Sequence, residues 1–233
     1  MSEVRTQIAP ARFDSVELRR RWIQLPVTDS ALVTDISATV GVDFGGRDTR
    51  VRVTDDFVYF PVVVNVRGAT EIRCESLVFA LGRRLLVTAQ PEKHFEPFDT
   101  GIDRMRRAPE LIGSPHGVMY ALLHALNDAA ADVITYAGGA IETLDGVHGT
   151  AAITRMNDLE EIVSRTREGQ LTLARAARYL RAGSSDVDER LLGLLLDDID
   201  GISRQASYAH DKLRYLALSR LSSSRTKRKG WLG

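Results

Sequence analysis

The sequence predicts an α+β fold: an N-terminal α/β sheet domain with short helices, followed by three long helices, the last a coiled-coil-like stalk. Two observations predict it. Residues 50–90 are dense in Val, Phe, Tyr and Ile, and are broken at short intervals by Asp55-Asp56, Gly68-Ala69 and Gly82-Arg83-Arg84, as strands and their turns are. From Met119 onward the apolar period changes to 3.6 residues and stays helical almost to the end. The expected division is therefore 1–112 for the sheet domain and 113–222 for the long helices, with the stalk at about 186–222 and a basic tail at 223–233.

In the first half, Arg20–Pro26 reads as a strand ending at a proline. Thr28-Asp29-Ser30 offers N-cap chemistry for a short helix running to about Val40. Gly41–Asp48, rich in Gly and Asp, is expected to be a loop. Arg50–Thr54, Phe57–Arg67 and Ile72–Leu81 follow as strands, and Gly82-Arg83-Arg84 turns the chain into Leu85–Gln90 to make a hairpin. A proline inside a strand, Pro61, predicts an edge or a bulge, because proline cannot donate to the ladder.

In the second half, apolar residues recur at 122, 123, 126, 130, 133, 134, 137, 141 and 144, and Gly146–Gly149 break the stripe. A second helix, about Ala152–Arg181, is expected to bury Ile153, Met156, Leu159, Val163, Leu173, Ala177 and Leu180 on one side. Gly183-Ser184-Ser185 ends it, and Asp186 with Glu189 three residues on is close to a capping box. The third helix places Leu195, Ile199, Ile202, Ala206, Ala209, Leu213 and Leu216 at alternating steps of four and three, a coiled-coil seam. A helix of that length packs on its sister helices and on other subunits.

The chain has 233 residues, 44% of them hydrophobic, which is ample for a packed core and excludes disordered or disulfide-framework classes. The single cysteine, Cys74, cannot form an intrachain disulfide, consistent with a reducing compartment. No signal-peptide core and no run near the roughly 18 apolar residues of a membrane span is present, so the expectation is a soluble, cytoplasmic chain as written. Thirty-one basic and 31 acidic residues cancel, and a neutral chain is not expected to bind nucleic acid. The zero hides an asymmetry: Arg225, Lys227, Arg228 and Lys229 make a +4 tail on a −4 body.

No dinucleotide fingerprint, P-loop, HExxH, GxSxG or CxxC occurs, and the expectation is not an enzyme. His124 has Asp128 one helical turn on, a spacing that serves either a shared ligand or a packing histidine oriented by a carboxylate. His116 reads as a helix-start residue, and Cys74 as a small buried strand residue. In the third helix Asp197 and Asp200 share a face, and Asp211 lies about 40° away around an ideal helix. Such a column suits a hard cation that prefers oxygen ligands. It equally suits a solvated acidic face partnered by Arg204, Lys212 and Arg214.

Several segments together resemble the CorA-type divalent-cation transporters. ESLVFALGRRLLVTAQP is similar to that family's strand pair, SPHGVMYALLHALNDAAADVI to the start of its first long helix, and LLLDDIDGISRQASYAHDKLRYLALSRL to its stalk helix. The closing KRKGWL looks like the tail that follows its second membrane span, while the Gly-Met-Asn signature and both spans are missing. The resemblance implies the cytosolic regulatory or sensor domain of an inner-membrane cation transporter, unable to conduct ions without its spans. It implies a homo-oligomer, a pentamer in that family, reaching the membrane only through the missing spans or the basic tail. It also implies Mg²⁺, with Co²⁺ or Zn²⁺ as alternatives, bound between subunits. Asp197, with Asp200 as nearest substitute, falls where the stalk acid would lie, and Asp43 or Asp48 stand in for the partner acid. The alternative is a standalone helical interaction protein that oligomerises through the stalk without ions.

Overall fold

The computed structural model describes residues 13–44, 50–146, 149–183 and 186–229. In chain order the elements are α1 (Ser15–Arg21), β1 (Trp22–Pro26), α2 (Ser30–Val40), β2 (Arg52–Val53), β3 (Phe57–Arg67), β4 (Ile72–Gly82), β5 (Leu86–Gln90), α3 (Glu96–Arg107), α4 (Pro115–Glu142), α5 (Gly149–Gly183) and α6 (Glu189–Lys229). The fold is α+β, sheet and short helices first and long helices after, as expected. Helix α1 is a departure from the sequence reading, which runs a strand from Arg20. Asp14 caps α1 by accepting from the Val16 N–H at 2.7 Å, and Glu17 pairs with Arg20 and Arg21 one turn on, so the strand starts only at Trp22. Helix α2 has the expected start and end: Asp29 caps the Leu32 N–H, and Gly41 closes it at φ 78°.

The sheet order is β1-β5-β4-β3-β2, with β1 parallel to β5 and the other pairs antiparallel. The strand read at Arg50–Thr54 shrinks to Arg52–Val53, opposite Tyr59 and Val58. Beyond Tyr59, β3 is therefore the sheet edge. Its register with β4 runs unbroken from Phe57 to Arg67, so Pro61 marks an edge and not a bulge. Alternation sorts the two faces. Phe60, Val62, Val64 and Val66 join Leu77, Phe79, Leu81 and Leu86 under α3 and α4, while Phe57, Tyr59, Ala80, Val87 and Leu25 lie under α2. Phe98 of α3 packs edge-on against Trp22, Phe79 and Phe95, and the Trp22 indole N–H donates to Thr88 at 3.0 Å.

The open edge of β3 is covered by α5. The Val63 N–H donates to the Thr172 hydroxyl at 3.1 Å, and the Asn65 amide donates to Thr166 and to the Ile162 carbonyl at 2.9 and 3.0 Å. Gly169 makes this approach possible, because a Cβ there would lie 2.6 Å from the Val63 carbonyl oxygen. Helix α4 buries every position of its predicted stripe, and Ser114 caps it through the Gly117 N–H. In α5, Met156, Leu159, Val163, Leu173, Ala177 and Leu180 are buried as read, but Ile153 is exposed and Ala152 takes the inward place.

Helix α6 starts later and ends later than read. Asp188, not Asp186, provides the cap, accepting from the Arg190 N–H at 2.8 Å, and the helical backbone continues past Ser222 to Lys229. Its 41 residues span about 60 Å. The seam from Leu195 to Leu213 is buried within this chain: Leu195 and Ile199 join the core under the sheet, and Ile202 to Leu213 join Ile134, Ile141, Leu159 and Val163 from α4 and α5.

Helix α3 is tied to α4 by charge as well. Arg104 Nη2 lies 2.8 Å from His124 Nδ1 and 3.4 Å from Asp128 Oδ2, and His124 Nδ1 lies 3.3 Å from Asp128. Burial pushes the Asp128 carboxyl up, but the hydrogen bond and charge of His124 and the Arg104 guanidinium outweigh it and hold it below the usual carboxylate range. Because the folded-state value is depressed, the stabilisation is complete above the ordinary Asp value of about 3.9 and is lost as pH falls through the lower, folded one. Asp128→Asn is expected to lower stability at neutral pH and to flatten the acid limb of a denaturation-midpoint-against-pH curve below about pH 4.

Two glycines give an opposed pair of predictions. Gly169→Ala must push α5 off the β3 edge and is expected to destabilise by about 1–3 kcal/mol, against a helix-propensity gain of about 1 kcal/mol. Gly139→Ala, on an exposed turn of α4 with nothing within 4 Å of the new methyl, is expected to stabilise by up to about 1 kcal/mol. Urea denaturation of the two variants beside the parent checks both signs.

Candidate functional site

The sequence-predicted acids lie on the solvent side of α6. The buried seam turns one face of that helix inward, so Asp197, Asp198, Asp200 and Asp211 are all exposed. The proposed basic partners do not take Asp197 or Asp200. Lys212 reaches Glu142 of α4 at 3.8 Å, and Asp211 is paired with His210 at 3.7 Å. Among the described residues, Asp197 and Asp200 have no ion pair. Two carboxylates with free oxygens fit a hard, largely hydrated cation, but they do not complete a site. Among the described residues no three His, Cys, Asp or Glu side chains cluster as a metal centre.

The stand-in acids for the second half of such a site fare differently. Asp43 is engaged by Arg52, whose Nη1 lies 2.7 Å from Oδ2 and whose Nη2 also bonds the Asp43 carbonyl, while the guanidinium sits 4.2 Å over the Tyr59 ring. A cation there would have to compete with the Arg52 guanidinium for the Asp43 carboxylate. Asp48 lies outside the described residues, as does the Gly230-Trp231-Leu232 part of the tail. The His124–Asp128 pair is closed to a metal in the same way, because the Arg104 guanidinium occupies the space between the two side chains. Cys74 is not the buried residue the sequence predicts but is exposed, on a surface pocket it shares with Arg165, whose guanidinium pairs with Glu161 at 2.6 Å.

The sequence reading misses the second stripe of α6. Leu194, Gly201, Tyr208 and Tyr215 stand seven residues apart, and Asp197, Arg204, Asp211 and Leu218 stand at the complementary heptad positions. Leu194, Tyr208, Tyr215 and Leu218 are 59–71% exposed, although residues of these types are usually covered. The sevenfold spacing is visible in the sequence, but the buried seam on the opposite face of the helix is more apolar and masks it. Asp197 is thus embedded in a heptad face that this chain leaves uncovered.

No family model matches the chain, and no curated protein matches it. Solved structures do. The soluble domain of CorA from Methanocaldococcus jannaschii superposes with a TM-score of 0.69 at 12% identity, covering 84% of this chain and 85% of that one. The complete CorA magnesium transporter from the same organism gives 0.73 at 13%, covering 91% of this chain and 73% of that one. The cytoplasmic domain of ZntB from Vibrio parahaemolyticus gives 0.64 at 10%, covering 88% of each chain. Among the described residues no helix is long and apolar enough to cross a membrane. The sheet with α5 along its edge and the long helices running on from it are the fold of the CorA and ZntB soluble domains.

Proposed function

We propose that this chain is a cation-responsive regulatory part of a divalent-cation transport assembly, working as a homo-oligomer through the exposed face of α6. The observation that carries the reading is the pair of exposed carboxylates without ion pairs, Asp197 set in an uncovered heptad face and Asp200 one turn along at its border. The likeness of fold to CorA and ZntB domains supports it. Mg²⁺ is the favoured ion, with Co²⁺ or Zn²⁺ as alternatives, and five copies is the number the CorA resemblance implies. The role is regulatory and non-catalytic: conduction needs membrane spans.

The mechanism follows from symmetry. When identical helices pack in parallel through one heptad face, the same residue of each copy arrives at one level. Asp197 would form a ring of like charges there and Asp211 another, with Arg204 between them. Two such charges about 4 Å apart at an effective dielectric of about 20 repel by about 4 kcal/mol, enough to splay the helices. A divalent cation with its waters cancels that repulsion, so it binds the closed arrangement better and shifts the population toward it. Loss of the ion lets the assembly open.

A second reading, an ion-free helical interaction protein, is favoured by the exposed Leu194, Tyr208, Tyr215 and Leu218, which could drive association without a metal. Sedimentation velocity separates the two. The parent is expected to lose assembly mass when millimolar Mg²⁺ is chelated, and the Asp197→Asn, Asp200→Asn double variant is expected to become insensitive to Mg²⁺. An assembly unchanged by chelator, with no ion bound in equilibrium dialysis, would sink the cation-responsive reading. A cross-linked dimer persisting in chelator would support the second.

A further inference from the structure

Between α4 and α6 the helical body leaves an open groove of about 420 Å³, against about 30 Å³ for one water. Ile134 and Ile141 of α4 and Ala209 of α6 floor it, and Tyr208 and Lys212 stand beside it. A missing side chain keeps it open: a Cβ on Gly138 of α4 would meet nothing within 4 Å. Its lining is mainly apolar, so covering it is favourable. The groove borders the uncovered heptad face of α6, since Tyr208 belongs to both.

The two borders of that face differ in charge. On an ideal helix Lys212 stands about 40° from Tyr208 on the groove side, while Asp211, Asp200 and Leu218 stand about 60–80° from it on the other. The charged residues lining the groove are Arg204, Lys212 and Glu142, the last two paired at 3.8 Å, so its rim is net positive. The far border carries the exposed Asp200 and Asp211, with Arg214 beyond them, and is net negative. The exposed Tyr215 lies between Tyr208 and that acidic border.

We propose that the groove receives the acidic edge of α6 from a second copy of this chain, with Tyr215 and Leu218 covering its apolar floor and Asp211 meeting Lys212. The proposal rests on the homo-oligomer reading and specifies its contact. In a ring of parallel helices one border of the shared face points to each neighbour, so every copy gives an edge on one side and a groove on the other. Such a head-to-tail contact repeats until the ring closes. The levels agree as well. Asp211 and Lys212 are adjacent in the chain, so rotation about an axis along the helices brings them to one height. Helical side chains lean toward the N-terminus, which carries the Tyr215 ring up to that height.

Sedimentation equilibrium of the full chain in millimolar Mg²⁺ tests the contact. Gly138→Leu fills the groove from its own chain, and is expected to raise the dissociation constant at least about tenfold without lowering the urea midpoint. Tyr215→Ser, at an exposed position, removes the occupant and is expected to weaken assembly in the same way. Lys212→Glu and Asp211→Lys are each expected to weaken assembly, and an equimolar mixture of the two to recover it, because opposite charges then alternate around the contact. A parent that assembles while both Gly138→Leu and Tyr215→Ser assemble as tightly would overturn the groove contact and leave the cation-responsive oligomer standing. Assembly that ignores chelator but is lost in both variants would support the groove and remove the cation. A parent monomeric with and without Mg²⁺ would overturn both.

Discussion

The structure depends on how the open edge of β3 is closed. Strand β2 covers only two residues of that edge, and the rest would expose backbone groups that need partners. Proline at 61 removes one donor and a helix supplies acceptors for others: Thr172 takes the Val63 N–H, while Asn65 turns its own amide onto α5. This joint lets a long helix run beside a sheet edge and not only over a sheet face. It fixes α5, and through α5 the direction in which α4 and α6 leave the sheet.

The three helices divide their work unevenly. Helix α4 is buried on most sides, wedged between the sheet and its two neighbours, which is why Gly117 meets the Leu111 backbone and why its N-terminal turns are apolar throughout. Helix α6 buries only its seam. Its acids, its tyrosines and Leu218 face outward, so α6 offers both charge and apolar surface on its outer side. Under the proposed function, that helix face would meet the same face of another copy, and the carboxylates within it would make the meeting depend on what neutralises them.

Much of this was legible before the fold was known. Helix α4 could be read because its stripe faces a single large core and every position answers to one period. The seam of α6 could be read for the same reason. Ile153 could not, because Ala152 beside it fits the same turn and only the packed partner decides between them. Cys74 could not, because β4 projects past the sheet's covered part at that end, and a strand pattern does not say which face is roofed. Asp197 and Asp200 were legible as a pair, while the engagement of Asp43 was not: Arg52 is nine residues away in the chain and reaches it only after β2 pairs with β3. Contacts made by pattern are visible in a sequence, and contacts made by topology are not.

The parallel pairing of β1 with β5 sets an order of assembly. Strand β1 is made before the other described strands, yet its neighbour in the sheet, β5, is the last of them, and the Trp22–Thr88 bond closes a separation of 66 residues. The β3 edge waits longer still, because its bond to Thr172 spans 109 residues. A chain emerging from the ribosome therefore completes the β3–β4–β5 meander with one edge unroofed until most of α5 has been synthesised. Long-range closures of this kind are slow, and an unroofed edge is open to other chains in the interval. The residue that ends that exposure is Gly169, whose missing side chain governs not only how closely the helix sits but how soon the nascent sheet is safe.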